Sequence, residues 1–287
     1  WAALLGKIFI RPVVVQMIAL EAVALVDIGY GNLSKPWLAR ITRRVCEKTD
    51  ALVAVAEYQC EIARESLPTK RRINVLPLRI DVTKFTYSEN KLSFPIQFVQ
   101  IGFYSPVKDQ DCMFVAFAKV ATSIDCYLTV IGDGFNDPKV KEMLDYLEIT
   151  EKVTFTGTLM QSSLSTYLSR SHILLHTARF ETGCAAIQEA MASGVVVCGT
   201  EVAILADIGS RYAVTAPPGN ADLLAERILG LVNDPDTYQR LKVTAYQWIK
   251  EHDAVWAANN YLLFLEKMLQ SGKKGSLRVR GRCKNKK

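Results

Sequence analysis

The chain has no CxxC pair, no apolar run long enough to cross a bilayer and no acid in its last sixteen residues. Its seven cysteines are an odd number, scattered from Cys46 to Cys283. That spacing argues against a disulfide framework or a zinc ribbon and fits a reducing cytosol. The longest apolar stretch, residues 13–26, is interrupted by Gln16 and Glu21 and is too short to span a membrane. No secretory signal is visible in the residues given; the chain opens on Trp1 rather than Met and reads as a fragment. Residues 272–287 carry eight lysines and arginines without an acid, so the overall +6 leaves residues 1–271 at −2. The folded part is therefore no nucleic-acid binder by composition.

What is present is an ordinary globular balance, 49% apolar and 22% charged over 287 residues. That length accommodates two α/β domains or one large one. From about residue 96, short β-branched runs alternate with amphipathic stretches: strands at 96–103, 126–134, 153–157, 173–178 and 195–200, helices at 110–123, 137–149, 162–170 and 184–194. Strand and helix in turn predict a doubly wound parallel sheet covered on both faces. Ligands of such sheets lie beyond the carboxyl ends of the strands, so the loops after strands are the place to look. The first 90 residues hold a shorter set of the same kind: strands at 11–20, 51–56 and 72–78, helices at about 36–48 and 59–66. Residues 220–271 read as helix with one break at Asn233-Asp234-Pro235. The polar segment Thr86–Pro95 is the natural linker. The division expected is 1–88 for the first Rossmann-like unit, 89–250 for the second, 251–271 for a helix returning onto the first, and 272–287 for a basic, disordered tail.

Three loop constellations carry chemistry. In the segment 180–194, Glu181 follows a strand, Gly183 allows a tight turn and a helix opens near Cys184. A helix start offers free amides and partial positive charge to a phosphate. Glu189 is eight residues beyond Glu181, on the order of 9–12 Å along a helix axis. That suits two points on an extended ligand better than an acid–base pair at one atom. The bland alternative makes Glu189 a solvated helix residue and Glu181 a partner of the helix dipole. The second constellation, 102–108, places Gly102 and Lys108 after the strand at 96–103, where glycine lets backbone approach a ligand and lysine supplies a point charge. Its alternative is a plain loop with an exposed lysine. The third, Gly132-Asp133-Gly134, lacks the last glycine of a dinucleotide fingerprint and gives no support to an NAD site. It also reads as a simple turn.

Taken together, these segments resemble the donor-binding half of glycosyltransferase family 4, retaining enzymes of the GT-B fold with two Rossmann-like domains. The family's run G-R-L-x-P-x-K-G, V-G-x-G, F-x-G and E-x7-E-A-M-A-x-G appears here as GFYSPVKD, VIGDG, FTG and ETGCAAIQEAMASG, in order. IDVTKF at 80–85 matches an upstream passage, with Arg79 where glycine is usual. The resemblance covers about residues 10–270 and implies an incomplete N-terminal Rossmann-like domain. It also implies transfer of a sugar from a nucleotide-diphosphate sugar, UDP- or GDP-linked, to a glycan, lipid or small-molecule acceptor, with no cofactor and no metal. Lys108 would hold the diphosphate above the Gly102 loop with Phe103 beside it, Glu189 the ribose hydroxyls, and Glu181 the transferred sugar. Thr182 and the amides of Gly183, Cys184 and Ala185 would serve sugar and phosphate. Gly132, Asp133 and Gly134, with Gly157, Thr158 and Leu159, would lie near the nucleobase, and Glu21 and Tyr30 on the acceptor side.

The departures are specific. Phe103 replaces the family's arginine, Asp109 stands where glycine is common, and TEVAILAD keeps its helix without the usual glycine pair. Ile18 and Ala19 occupy the place of a His-Gly pair that often precedes the acid matched by Glu21. These losses leave open a non-catalytic nucleotide-sugar-binding relic, and the fold also admits a nucleotide-sugar epimerase. Cys184 at a helix start is the position in which a thiol's pKa is lowered, but no histidine partner is evident. His172 and His176 have no Cys or Asp at ligand spacing. Phe103 and Tyr104 are read as core more readily than as base-stacking rings, and Trp248, Trp256, Tyr261 and Phe264 as core or interdomain packing. The basic tail offers a peripheral contact to anionic lipid at an inner membrane face, against a solvated tail; no specific nucleic-acid partner is expected.

Overall fold

The computed structural model describes residues 11–272 apart from Pro68 and Arg71, together with Gly6, Ile8 and Phe9. The basic tail beyond Gly272 lies outside the described residues, and with it the lipid-contact reading. The first sheet is built from β1 (Val14–Met17), β2 (Ala51–Ala54) and β3 (Ile73–Val75), with α1 (Pro36–Lys48) and α2 (Glu57–Ser66) between them. Its strands are parallel in the order β1-β2-β3.

The second sheet takes β4 (Ile96–Ile101), α3 (Gln110–Ala121), β5 (Cys126–Ile131), α4 (Pro138–Tyr146), β6 (Val153–Gly157) and α5 (Gln161–Arg170). It continues through β7 (Ile173–His176), α6 (Ala185–Ala192), β8 (Val196–Thr200), α7 (Ala203–Ile208) and β9 (Val214–Ala216). All pairs are parallel, in the order β6-β5-β4-β7-β8-β9. Winding reverses between β4 and β7, so the loops after those two strands diverge and leave a crevice at the switch point. The expected α/β architecture is present, with β9 a short sixth strand that the sequence pattern did not single out.

The period of two along each strand builds the core. In β4, Phe98 joins the cluster with Phe114 and Phe117, while the next residue, Val99, joins the opposite cluster with Leu174, Ile187 and Met191. Likewise Ile173 and Leu175 face one side of β7 and Leu174 the other. Both faces are thus covered, which is why β7 and β8 read as unbroken apolar runs.

Past the sheet, the chain finishes in α8 (Ala221–Val232), α9 (Pro235–Glu251) and α10 (Ala254–Gly272). Asp234 caps α9 by accepting from the Thr237 amide at 3.0 Å, and Pro235 sits at its first turn. The helical stretch has a second break that the sequence reading did not mark. It falls at His252-Asp253, where Asp253 accepts from the Trp256 amide at 2.9 Å. Trp248 stacks on His252, which meets Trp256 edge-on across this elbow, and the Arg79 guanidinium lies 5.1 Å from the Trp248 ring centroid. The segment Thr86–Pro95 also differs from a free linker. Ser88 is buried, its amide donates to the Ser193 carbonyl at 3.0 Å, and Asn90 donates to the Ser169 carbonyl at 2.6 Å. This segment is strapped to α5 and α6 by hydrogen bonds its own polar residues provide.

Candidate functional site

The loop after β4 runs from Gly102 to Asp109, and the one after β7 from Thr177 to Cys184. Gln110 braces the first loop: its side-chain amide donates to the Phe103 carbonyl at 2.8 Å and accepts from the Ser105 amide at 3.2 Å. The second loop is sewn to the first, with the Thr177 hydroxyl donating to the Asp109 carbonyl at 2.9 Å and the Arg179 amide to the Val107 carbonyl at 2.8 Å. The turn after β5 packs backbone to backbone against the first loop. A Cβ on Gly132 would stand 2.1 Å from the Gly102 carbonyl oxygen, so this position admits only glycine. The Gly132 amide also donates to the Gly157 carbonyl at 3.0 Å, and the Tyr104 amide to the Asp133 carbonyl at 2.8 Å. Gly102, Gly132–Gly134 and Gly157 therefore form one continuous rim. Thr158 and Leu159 follow on that rim, with Leu159 packed into the core beneath.

At the switch point the Lys108 ammonium pairs with the Glu181 carboxylate, joining the two loops. Their side chains are 18% and 21% exposed, so the pair is largely withdrawn from water. Burial opposes both charges, yet each partner outweighs it. Glu181 is held below its ordinary value by Lys108, and Lys108 above its own by Glu181. Lys108 is thus not the exposed lysine of a plain loop. Glu189 is buried rather than solvated, and burial pushes its carboxyl pKa up. The pKa values of Glu181 and Glu189 are thus shifted in opposite directions on one eight-residue spacing.

The turn into α6 corrects two expectations. Cys184, not Gly183, holds the left-handed conformation, at φ 37° and ψ 90°, directly before the helix starts at Ala185. And its thiol is not lowered by the helix start: burial, then the Glu181 carboxylate, push its pKa up to about 12. A histidine does stand beside it. The Cys184 sulfur is 3.7 Å from His176 Nε2 and 3.9 Å from Nδ1. Burial, then Lys108, lower the His176 pKa to about 4, so the ring is neutral. His176, Glu181 and Cys184 offer ligand atoms all within 4.8 Å of one another. Sequence reasoning dismissed His176 because spacing along the chain hid a neighbour that folds back from the loop; the polar residue ending the apolar strand ILLH was the available signal.

The first half reaches this site through single polar groups and an apolar seam, in which Val23, Leu25, Ile28, Tyr58 and Ile62 pack with Val107 and Phe180. The Thr182 hydroxyl donates to the Ile18 carbonyl, the Tyr30 ring lies 6.2 Å from Phe180, and Arg179 pairs with Asp27 at 2.6 Å. Burial, then the charge of Glu181, raise the Tyr30 phenol, whose pKa also responds to Lys108 and Glu21. Tyr30 is thereby brought to the ion pair, while Glu21 turns its carboxylate onto the Ala19 amide at 3.0 Å. A cavity of about 630 Å³ opens between Leu25 and Ile28 on one side and Tyr104, Asp109, Asp111 and Arg179 on the other, with neither Lys108 nor Glu181 in its lining. A larger one, about 740 Å³, sits at the β9 edge around Arg227 and Arg240 and is lined by none of these site residues. Phe103 is 60% exposed, against the core reading, whereas Tyr104 packs on Phe135 and donates to Asp111 at 3.0 Å.

Asp109 and Ala203 explain two departures noted in the sequence. Asp109 has φ 49° and caps α3, and Ala203, inside the stretch TEVAILAD, has φ 52°. Both occupy left-handed backbone that glycine adopts without strain. Sequence reading also passed over Asp207, whose carboxylate accepts from the Glu57 and Tyr58 amides at 2.9 and 2.8 Å and so caps α2 from the other half.

Comparison with known proteins agrees with this arrangement. The chain is 23% identical over 228 residues to N-acetyl-alpha-D-glucosaminyl L-malate synthase of Bacillus anthracis, covering 76% of this chain and 59% of that protein. It is 30% identical over 149 residues to a GDP-mannose-dependent alpha-mannosyltransferase of Corynebacterium glutamicum, covering 52% of this chain and 30% of the relative. The chain therefore spans less than two thirds of the curated relatives' length. Among solved structures, a sucrose-phosphate synthase from Thermosynechococcus elongatus superposes with a TM-score of 0.79 at 15% identity, over 94% of this chain and 72% of that one. HepE of Anabaena in complex with UDP-glucose gives 0.76 at 15% identity, over 92% and 74%. These likenesses establish the two-domain GT-B fold. Residues 84–248 match the family Glycosyl transferases group 1, and the chain belongs to that family.

Proposed function

We propose that this chain belongs to a retaining glycosyltransferase and that its six-stranded half binds a nucleotide-diphosphate sugar. The observation that carries the reading is the Lys108–Glu181 pair at the switch point, with the buried Glu189 on the helix behind it. A diphosphate arriving there meets Lys108 and the amides of Gly183, Cys184 and Ala185, fixed in place before charge develops on the leaving group. Lys108 then exchanges Glu181 for phosphate, which frees Glu181 to contact the sugar. The raised pKa of Glu189 marks a carboxyl whose charge awaits a polar partner, and the paired ribose hydroxyls supply donors for it. The rim Gly132–Gly134 and Gly157–Leu159 takes the base, a uracil or guanine. Mannosyltransferases using GDP-mannose among the relatives and a UDP-glucose complex among the neighbours support those two donors. We further assign residues 1–88 to the acceptor side, with Tyr30 and Glu21 facing it, 89–250 to the donor side, and 251–271 to a returning helix. The protein is placed in the cytoplasm, where thiols stay reduced, with the basic stretch 272–287 as a contact for anionic lipid.

Thermal-shift titration of the chain with UDP, GDP, ADP and their sugars tests the donor site. At a hundredfold excess over Kd, binding adds about 2.7 kcal/mol to native stability. One nucleotide series is expected to raise the melting temperature, and Lys108→Ala and Glu189→Ala to lose that response. A folded chain that responds to none would favour the relic reading, for which Phe103 in place of arginine is the specific support. In the full-length protein, NMR of the product's anomeric proton tests retention. Release of free sugar and nucleotide without acceptor would point to an epimerase instead. Co-sedimentation with anionic vesicles, with and without residues 272–287, tests the lipid contact.

A further inference from the structure

The cluster His176–Glu181–Cys184 is more than a side effect of the turn. Tetrahedral zinc binds thiolate sulfur at about 2.3 Å and imidazole nitrogen at about 2.0–2.1 Å, which sets the two ligand atoms about 3.6 Å apart. The Cys184 sulfur stands 3.7 Å from His176 Nε2 and 3.9 Å from Nδ1, so the spacing suits a shared cation and a turn of the ring aims one nitrogen at it. A carboxylate oxygen of Glu181 completes a set of three within 4.8 Å. Two of these ligands sit on one short turn and the third ends β7, so rigid backbone holds all three. The competitor for Glu181 is the Lys108 ammonium. We propose that this chain has an inhibitory site for a thiophilic divalent cation, zinc being the type, in which His176, Cys184 and Glu181 are ligands and water or a phosphate oxygen fills the fourth position. The thiol gives up its proton to solvent as the sulfur binds, and Lys108 is displaced from Glu181. With Glu181 held by the metal and Lys108 moved, the sites for sugar and diphosphate are both lost. That last consequence rests on the donor-site reading above; the metal site does not.

Cobalt(II) reports directly on such a site, because a thiolate ligand gives an intense near-ultraviolet charge-transfer band. The chain, kept reduced with a phosphine, is titrated with Co2+ and then challenged with Zn2+. One equivalent of Co2+ is expected to produce the band and Zn2+ to abolish it. Cys184→Ala should lose the band entirely. His176→Ala should weaken binding by more than the roughly 10–100-fold that losing an outer partner of a ligand costs. Lys108→Met should tighten it several-fold, since the competing ammonium is gone, an outcome no general loss of structure could mimic. No band in the native chain, a band that survives in Cys184→Ala, or weaker binding in Lys108→Met would each overturn the proposal. A nucleotide-induced thermal shift that Zn2+ abolishes is the expected functional arm. If the band appears but no nucleotide ever shifts the protein, the metal site stands and the donor reading fails.

Discussion

The two sheets are built alike and finished differently. In the six-stranded sheet, every residue of β7 and β8 is buried. In the three-stranded one only the middle strand, β2, is buried throughout, while its edges β1 and β3 bury Met17 and Ile73 alone. The six-stranded sheet's own edge, β6, is open in the same way, but its site loops grow from inner strands. The covered half can therefore hold a charged pair in fixed geometry, because the loops carrying Lys108 and Glu181 grow from strands that cannot shift. The other half meets the site through the Ile18 carbonyl, the Asp27 carboxylate and an apolar seam in which Val23, Leu25, Ile28, Tyr30, Tyr58 and Ile62 pack against Val107 and Phe180. Positioning of the Lys108–Glu181 pair is thus a property of one sheet, and the other half packs against its loops along that seam.

Breaking the ion pair is the strongest challenge to that view. Lys108→Ala leaves Glu181 buried without its cation, at a cost of about 3 kcal/mol, the low end for buried pairs because both side chains keep some water. Chemical denaturation should show that loss, and Lys108→Ala/Glu181→Ala should recover much of it. The pH dependence has a definite sign. Glu181 has a folded pKa below its unfolded value, so its contribution is present above about pH 4.3 and is lost as pH falls through the lowered value. In Lys108→Ala the main opposing charge is gone and burial, the largest remaining influence, raises that pKa against the Thr182 amide, so the loss on acidification begins at higher pH. If the single variant is as stable as the native chain, the loops are not held as described.

Asp207 tests the attachment between the halves. Its carboxylate belongs to α7 but closes the first two amides of α2, and such caps contribute about 1–2 kcal/mol. Asp207→Ala should lower stability by that amount. Amide exchange should accelerate in α2 while β4 and β7 keep their protection. Uniform acceleration across both sheets would mean the halves unfold as one unit, and the contrast drawn above would fail.

Much of this was legible beforehand, for a physical reason. Period-two and unbroken apolar runs announce strands whose faces are covered, so β4 to β8 and their helices fell where the pattern put them. The candidate site was legible where one residue type suffices: glycines at 102 and 132–134 for the turns after strands, Lys108 and Glu181 for their charge, though the close approach at Gly132 was not. What stayed hidden depends on contacts between distant segments. His176 beside Cys184, Asp207 at the start of α2, and Ser88 on the Ser193 carbonyl have no signature in local spacing. The state of Cys184 was hidden too: a helix start favours thiolate, while burial, invisible in the sequence, opposes it more strongly.

Backbone strain follows the same division. Among the described residues, the four non-glycine residues at positive φ (Asp109, Glu148, Cys184 and Ala203) all lie in the six-stranded half, whereas in the other half only Gly29 and Gly31 adopt it. A half buried on both faces can hold residues in conformations that a less covered one leaves to glycine. Ala203 should show this most clearly, since alanine in left-handed backbone costs about 1 kcal/mol or more and has no polar group to offset it. Ala203→Gly is expected to gain about 1 kcal/mol, a rise of roughly 2–4 °C in melting temperature. Asp109→Gly should gain less. Aspartate tolerates this region better than most residues, and its Oδ1 accepts from the Cys112 amide at 3.4 Å, a long cap whose replacement by glycine costs only a few tenths of a kcal/mol. A net gain of about 0.5 kcal/mol follows, read by calorimetry. A loss instead would show that the Asp109 carboxylate holds α3 and the neighbouring Arg179 in place more firmly than its geometry indicates, and that the strain there is repaid locally rather than by the sheet.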